Sequence, residues 1–140
     1  MHAPLPAMAS LGSAERAQVE NILRLPDLVN NNEPLVRRGQ FVDLEFQLVV
    51  DSFPCFVTIA QGRVTKVHAG PLKMHSSAFV VRTSAAHWDK FWQRHPEPWW
   101  HDLFAMVKKG YATIDGDLHP FMCNLQYFKD VIASPRRTRA

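Results

Sequence analysis

Cysteine, glycine and tyrosine are scarce in this chain of 140 residues: two cysteines, six glycines, two tyrosines. Cys55 and Cys123 show no Cys-x-x-Cys spacing. Both fall in elements predicted to be buried, so two free thiols in a reducing compartment are expected. The glycines form no Gly-x-Gly-x-x-Gly array and no P-loop, and no Gly-x-Ser-x-Gly elbow occurs, so the sequence offers neither a phosphate cradle nor an activated serine. No apolar run approaches the roughly 18–20 residues of a membrane span, so stable insertion in a membrane is not expected. The first eight residues carry no lysine or arginine ahead of their apolar residues, unlike a signal peptide. The chain ends Thr-Arg-Ala rather than Ser-Lys-Leu, so no simple peroxisomal address is read there. The cytoplasm is the expected compartment. Charge of one sign is also lacking. The net charge is +3, and Arg136, Arg137 and Arg139 supply much of it. With no basic stripe elsewhere, nucleic acid is not an expected partner.

What the chain does have is apolar surface. Hydrophobic residues make up 46% and charged residues 21%, the composition of one globular domain with one core. Residues 1–12 read as a flexible lead-in, 13–133 as the domain, and 134–140 as a basic, solvated tail. Ser13 is placed to cap a short helix that Pro26 is expected to stop, and the Asn30–Pro34 run reads as a turn. Over residues 41–50, Val42, Leu44, Phe46, Leu48 and Val50 alternate with mostly polar neighbours. This is a strand that covers a core on one side. Strands at 55–60 and 63–69, joined by Gln61-Gly62, complete an antiparallel meander.

A connection follows, then a strand at 78–83. Ser84 is placed to cap a helix to about residue 94, with Trp88, Phe91 and Trp92 on one stripe. Pro98 is placed to start the next helix, which carries Trp99, Trp100, Leu103, Phe104 and Val107. Gly110 suits the left-handed position after that helix. A fifth strand at 111–115 and a helix at 118–132, capped by Asp117 and carrying Leu118, Met122, Leu125, Phe128 and Ile132, close the chain. The class is α+β: helix, three-stranded meander, crossover, strand, two helices, strand, helix, with one five-stranded sheet covered on one face by helices.

Catalytic chemistry is not spelled out. The seven histidines lack metal-ligand spacing. His101 and Asp102 are adjacent, so on a helix their side chains diverge. Asp115 and Asp117 flank a turn and read as caps, and Cys123 reads as a buried, inert thiol. No catalytic residue, metal or cofactor is expected. The aromatic residues between 88 and 104 are either a heavy core or the wall of a pocket, since both need the same apolar surface.

Three features together carry a resemblance: the Gln61-Gly62-Arg63-Val64 hairpin, the Thr83-Ser84 strand-to-helix step, and Gly110-Tyr111-Ala112-Thr113-Ile114-Asp115-Gly116-Asp117 before an apolar helix. In their order they resemble the sterol carrier protein 2 family, most like its small stand-alone bacterial members. The resemblance implies a mixed five-stranded sheet and an apolar tunnel between sheet and helices that takes fatty acids, acyl-CoA or sterols. Its implied lining here is Leu44, Phe46 and Leu48 on the sheet, with Trp88, Phe91, Trp92, Trp100, Leu103, Phe104, Met122, Leu125 and Phe128 on the helices. Indole N–H groups, His87, Gln126 or Tyr127 would supply its polar contacts. The sequence departs from the family at His95-Pro96-Glu97-Pro98-Trp99-Trp100, where a Gly-containing link is usual and two prolines and two tryptophans now fill space. The function implied is non-catalytic binding or transfer of a small apolar ligand. The alternative is an interaction or accessory subunit, whose aromatic surface meets a second copy of the chain or an enzyme and holds no ligand.

Overall fold

The computed structural model describes residues 11–72 and 76–136. The order is α1 (Ser13–Leu23), α2 (Leu25–Asn30), α3 (Glu33–Arg38), β1 (Asp43–Val50), β2 (Phe53–Ala60), β3 (Arg63–Ala69), β4 (Phe79–Thr83), α4 (Ala85–Phe91), α5 (Leu103–Lys108), β5 (Ala112–Gly116), α6 (His119–Cys123) and α7 (Leu125–Ala133). The five strands make one sheet in the order β3-β2-β1-β4-β5. β1 runs parallel to β4, and the other neighbours are antiparallel. The expected meander and crossover are therefore both present, in an α+β domain.

Alternation decides which face is covered. Phe46, Leu48 and Val50 of β1 lie opposite Val57, Cys55 and Phe53 of β2, and all six are buried. Phe79 and Val81 extend that face across β4. Lys66, Arg82 and Thr113 point the other way and are exposed, although Val49 and Phe56 on that side are buried too. Against the apolar face lie Val19 and Ile22 of α1, Trp88 and Phe91 of α4, Phe121 of α6, and Phe128, Val131 and Ile132 of α7.

Several helix boundaries differ from the expectation, each for a local reason. The first helix does end just before Pro26, at Leu23, but Pro26 also sits in the first turn of α2, and Pro34 sits likewise in α3. A first-turn residue has no acceptor for its N–H, so proline is tolerated there. The turn expected at Asn30–Pro34 therefore contains a helix start, with the Asn32 carboxamide accepting from the Leu35 N–H at 3.3 Å. Ser84 caps α4 as expected, accepting from the His87 N–H at 3.2 Å, but α4 ends at Phe91. Pro98 starts no helix. The Trp100 N–H instead closes a turn onto the Glu97 carbonyl, and α5 begins after Asp102, which caps Phe104. The expected last helix is two, separated at Asn124, whose backbone (φ −125°, ψ 40°) is not helical. The split turns Cys123 outward: Cys55 is buried as expected, whereas Cys123 is exposed.

Candidate functional site

The layer between the inner sheet face and the helices is the candidate site. Its centre is a phenylalanine cluster drawn from four elements. The Phe46 and Phe79 rings stack at 5.0 Å. Phe128 meets both edge-on, at 5.7 and 5.1 Å. Phe121 approaches Phe79 edge-on at 4.9 Å and lies nearly parallel to Phe128 at 5.8 Å. Offset and edge-on pairs of this kind are favourable beyond the area they bury. Beside it lies a tryptophan cluster, in which Trp88 stacks on Trp92 at 4.5 Å and Phe91 meets Trp88 edge-on at 5.9 Å.

The expected lining residues fall into three groups. Phe46, Leu48, Trp88 and Phe128 have no exposed surface, and Phe91, Leu103 and Trp92 have at most 4%. A side chain with no accessible surface borders no water-sized space, so the first four rest on one another and on their neighbours. Leu44, Trp100, Phe104 and Leu125 are half-buried at the margin of the core. Met122 does not face the layer and is 54% exposed, because the break at Asn124 rotates α6 so that Phe121 points inward in its place. Phe79 and Phe121 are central to the cluster. Neither was expected from the sequence: the alternation of Phe79, Val81 and Thr83 is a signal that could have found the first, and nothing in the periodicity marks the second as the inward residue of α6.

Most of the polar groups expected to serve a ligand are already engaged. The indole N–H of Trp88 donates to the Val49 carbonyl at 3.0 Å, and that of Trp92 donates to the Ile132 carbonyl at 2.8 Å. The Tyr127 hydroxyl donates to the Gly62 carbonyl at 2.7 Å. His87 Nδ1 lies 3.0 Å from the Tyr111 carbonyl and 3.1 Å from the Thr83 hydroxyl. Gln126 donates to Asp130 at the surface. Only Gln18 and Thr83 are buried polar residues among those described, so the interior is overwhelmingly apolar.

Two open grooves flank this layer. One, of about 420 Å³, lies between α4 and the following link and is bordered by Asp89, Lys90, His95, Glu97 and Trp100. The other, of about 250 Å³, is bordered by Phe91, Leu103, Lys129 and Arg136. Arg136, read from the sequence as part of a solvated tail, is docked here. Its guanidinium donates to the Phe91 carbonyl at 2.8 and 3.0 Å and to the His101 carbonyl at 3.2 Å. Arg137 and Arg139 lie outside the described residues. Among the described residues, no three His, Cys, Asp or Glu side chains gather where they could hold a metal ion, and no helix is long and apolar enough to cross a membrane.

No protein-family model matches the sequence, and no curated protein sequence matches it. Solved structures do. The crystal structure of sterol carrier protein 2 superposes with a TM-score of 0.66 at 13% identity, over 88% of this chain and 96% of that one. The solution structure of TT1886 from Thermus thermophilus, described as possibly a sterol carrier protein, gives 0.57 at 14% identity, over 100% and 99%. UbiJ-SCP2, a ubiquinone synthesis protein, gives 0.54 at 13% identity, over 86% and 96%. At such identities the likeness establishes the fold, and the chain has the fold of sterol carrier protein 2.

Proposed function

We propose, from the sterol carrier protein 2 fold, that this domain binds a small apolar ligand without transforming it, between the inner sheet face and helices α4 to α7. The carrying observation is the apolar layer itself. It occupies the interval between sheet and helices and holds almost no polar group. Such a layer favours an acyl chain or a similar apolar body by roughly 25 cal/mol for each Å² removed from water. Among the described residues, the rings of Phe46, Phe79, Phe121 and Phe128 pack against one another within this layer. A ligand therefore has to displace one of them, and Phe121 is the ring best placed to leave. It is the one buried residue of the five-residue α6, and the Asn124 break follows that helix directly.

Native mass spectrometry of the purified chain should reveal a co-purifying fatty acid or related lipid. A fluorescent fatty acid should bind saturably, and more tightly to Phe121→Ala, in which the displaced volume is already vacant. Lipid-free protein with no saturable binding in either form would overturn the proposal.

The close packing of these rings among the described residues favours a second reading, an accessory subunit that holds no ligand. UbiJ-SCP2, of the same fold, is a ubiquinone synthesis protein. On this reading the chain would form a homodimer or a stable complex with an enzyme, seen by light scattering on a sizing column, and Phe121→Ala would only lower stability.

A further inference from the structure

The link between α4 and α5 holds a feature that the apolar layer does not explain. Glu97, Pro98, Trp99 and Trp100 form a tight turn, closed by the Trp100 N–H on the Glu97 carbonyl at 3.0 Å. Proline suits the second position of such a turn. The third position requires positive φ when the turn is of type II, and glycine normally takes it. Here Trp99 takes it, at φ +78°. A bulky side chain in that region is a genuine outlier, and strain of this sort persists only where the surrounding structure holds it, most often at functional sites. Burial does not account for it, because Trp99 remains 49% exposed.

The two tryptophans of the turn have opposite fates. Trp100 turns inward, stacked face to face on Tyr111 at 4.5 Å with 5° between the planes. That stack, flanked by His87, roots the turn on α4 and the start of β5. Trp99 turns outward, with the Lys109 ammonium 4.3 Å from its ring centroid. Lys108 and Lys109 are both exposed, and the surface beyond them at Gly110 is open. Asp89 borders the groove beside the turn together with Glu97 and Trp100. Glu97 is exposed within the turn, and Asp102 is tied to Lys129 at 3.2 Å.

We propose that this turn docks the domain on the surface of an anionic lipid bilayer, with the Trp99 indole seated among the headgroups and Lys108 and Lys109 facing their charge. Indole rings concentrate at the boundary between headgroups and acyl chains, and lysines next to an anionic leaflet are attracted to it within a Debye length. The rigid root through Trp100 presents the ring without loop ordering on contact. Docking of this kind does not require an apolar ligand inside the domain, so it stands or falls separately from the function proposed above.

The test uses the full chain with phosphatidylcholine vesicles made with and without phosphatidylglycerol, read by co-sedimentation and tryptophan emission. Binding is expected on the anionic vesicles, with a blue shift, and is expected to fade at high salt. Trp99→Gly should lower the partition coefficient by about tenfold or more, from the indole area no longer removed from water, while leaving the thermal midpoint unchanged or higher, since glycine adopts φ +78° without strain. Trp99→Asn, also tolerant of positive φ, should behave alike. Removing both charges with Lys108→Gln and Lys109→Gln should lower partition by about 25-fold, at about fivefold per lysine. Arg137→Gln with Arg139→Gln should leave a clear preference for anionic vesicles. No binding to either vesicle, or Trp99→Gly binding as tightly as the parent, would overturn the proposal. So would binding that only the arginine pair abolishes.

Discussion

Tyr127 packs against Gly39 so closely that no larger residue fits there unless the ring shifts: a Cβ on Gly39 would stand 2.2 Å from Cε1 of the ring. The same side chain donates its hydroxyl to the Gly62 carbonyl. One residue of α7 thereby latches the end of α3 and the β2–β3 turn. The φ of Gly39 is −100°, an ordinary value, so the requirement for glycine is purely steric. Gly39→Ala should cost about 1–3 kcal/mol by overpacking. Tyr127→Phe should cost about 1–2 kcal/mol, because the Gly62 carbonyl loses its partner. Both are read from the midpoint of denaturant unfolding. An unchanged midpoint for Gly39→Ala would show that the ring moves aside freely.

Asn30 acts as a short substitute strand. Its carboxamide accepts from the Val64 N–H at 2.8 Å and donates to the Val64 carbonyl at 2.9 Å, at the outer edge of β3. Asn30→Ala removes both partners and should cost about 2–4 kcal/mol. Asn30→Asp keeps the acceptor and loses the donor, so it should fall between. Amide hydrogen exchange at Val64 is the local check, and it should speed up most in the alanine variant.

Gly116 and Gly110 separate two reasons for glycine. Gly116 combines φ +107° with a Cβ position 2.7 Å from the Ala78 carbonyl oxygen, whereas Gly110 has φ +81° with nothing within 4 Å. Gly116→Val should cost at least about 3 kcal/mol, through backbone strain and collision together. That is a large fraction of the stability of a small domain, so the variant should unfold at a much lower denaturant midpoint. Gly110→Ala carries strain alone and should cost about 1–2 kcal/mol. Equal midpoints for the two variants would contradict this division.

The two thiols should differ sharply. Burial pushes the Cys55 thiol up from 9.0 to about 12. Between those values the unfolded chain has released a proton that the folded chain keeps. Stability is therefore full below about pH 9 and falls as pH rises toward 12, by up to about 1.4 kcal/mol per pH unit. Burial of Tyr127 acts in the same direction, from a higher starting value. Cys55→Ala should flatten the slope between pH 9 and 10.5 or so. At pH 8 an aromatic disulfide reagent should label exposed Cys123 at once, and Cys55 only on unfolding. Rapid labelling of both would count against the burial of Cys55.

Strands were more legible than helices. The alternation of Phe46, Leu48 and Val50 is local and strict, and it placed β1 and its inner face correctly. The Gln61-Gly62 turn placed the hairpin, and Ser84 placed the start of α4. Pro26, Pro34 and Pro98 were harder, because proline both ends helices and begins them. The residues after each proline decide between the two, together with tertiary contacts such as the Trp100–Tyr111 stack. The protein partners of the polar atoms expected to serve a ligand were hidden for a related reason. Hydrogen bonds such as those from Trp88 to Val49 and from Trp92 to Ile132 join residues 39 and 40 positions apart, and no local pattern announces them.

Local pattern in the chain was enough for the class of the domain, the succession of its strands and the apolar character of the layer between sheet and helices, because periodicity and turn chemistry act over a few residues. The contents of that layer depended on packing in three dimensions. Rings of Phe46, Phe79, Phe121 and Phe128, drawn from four separate elements, close it. The break at Asn124 turns Met122 and Cys123 outward, and one tight turn sends Trp100 into the protein and Trp99 out of it.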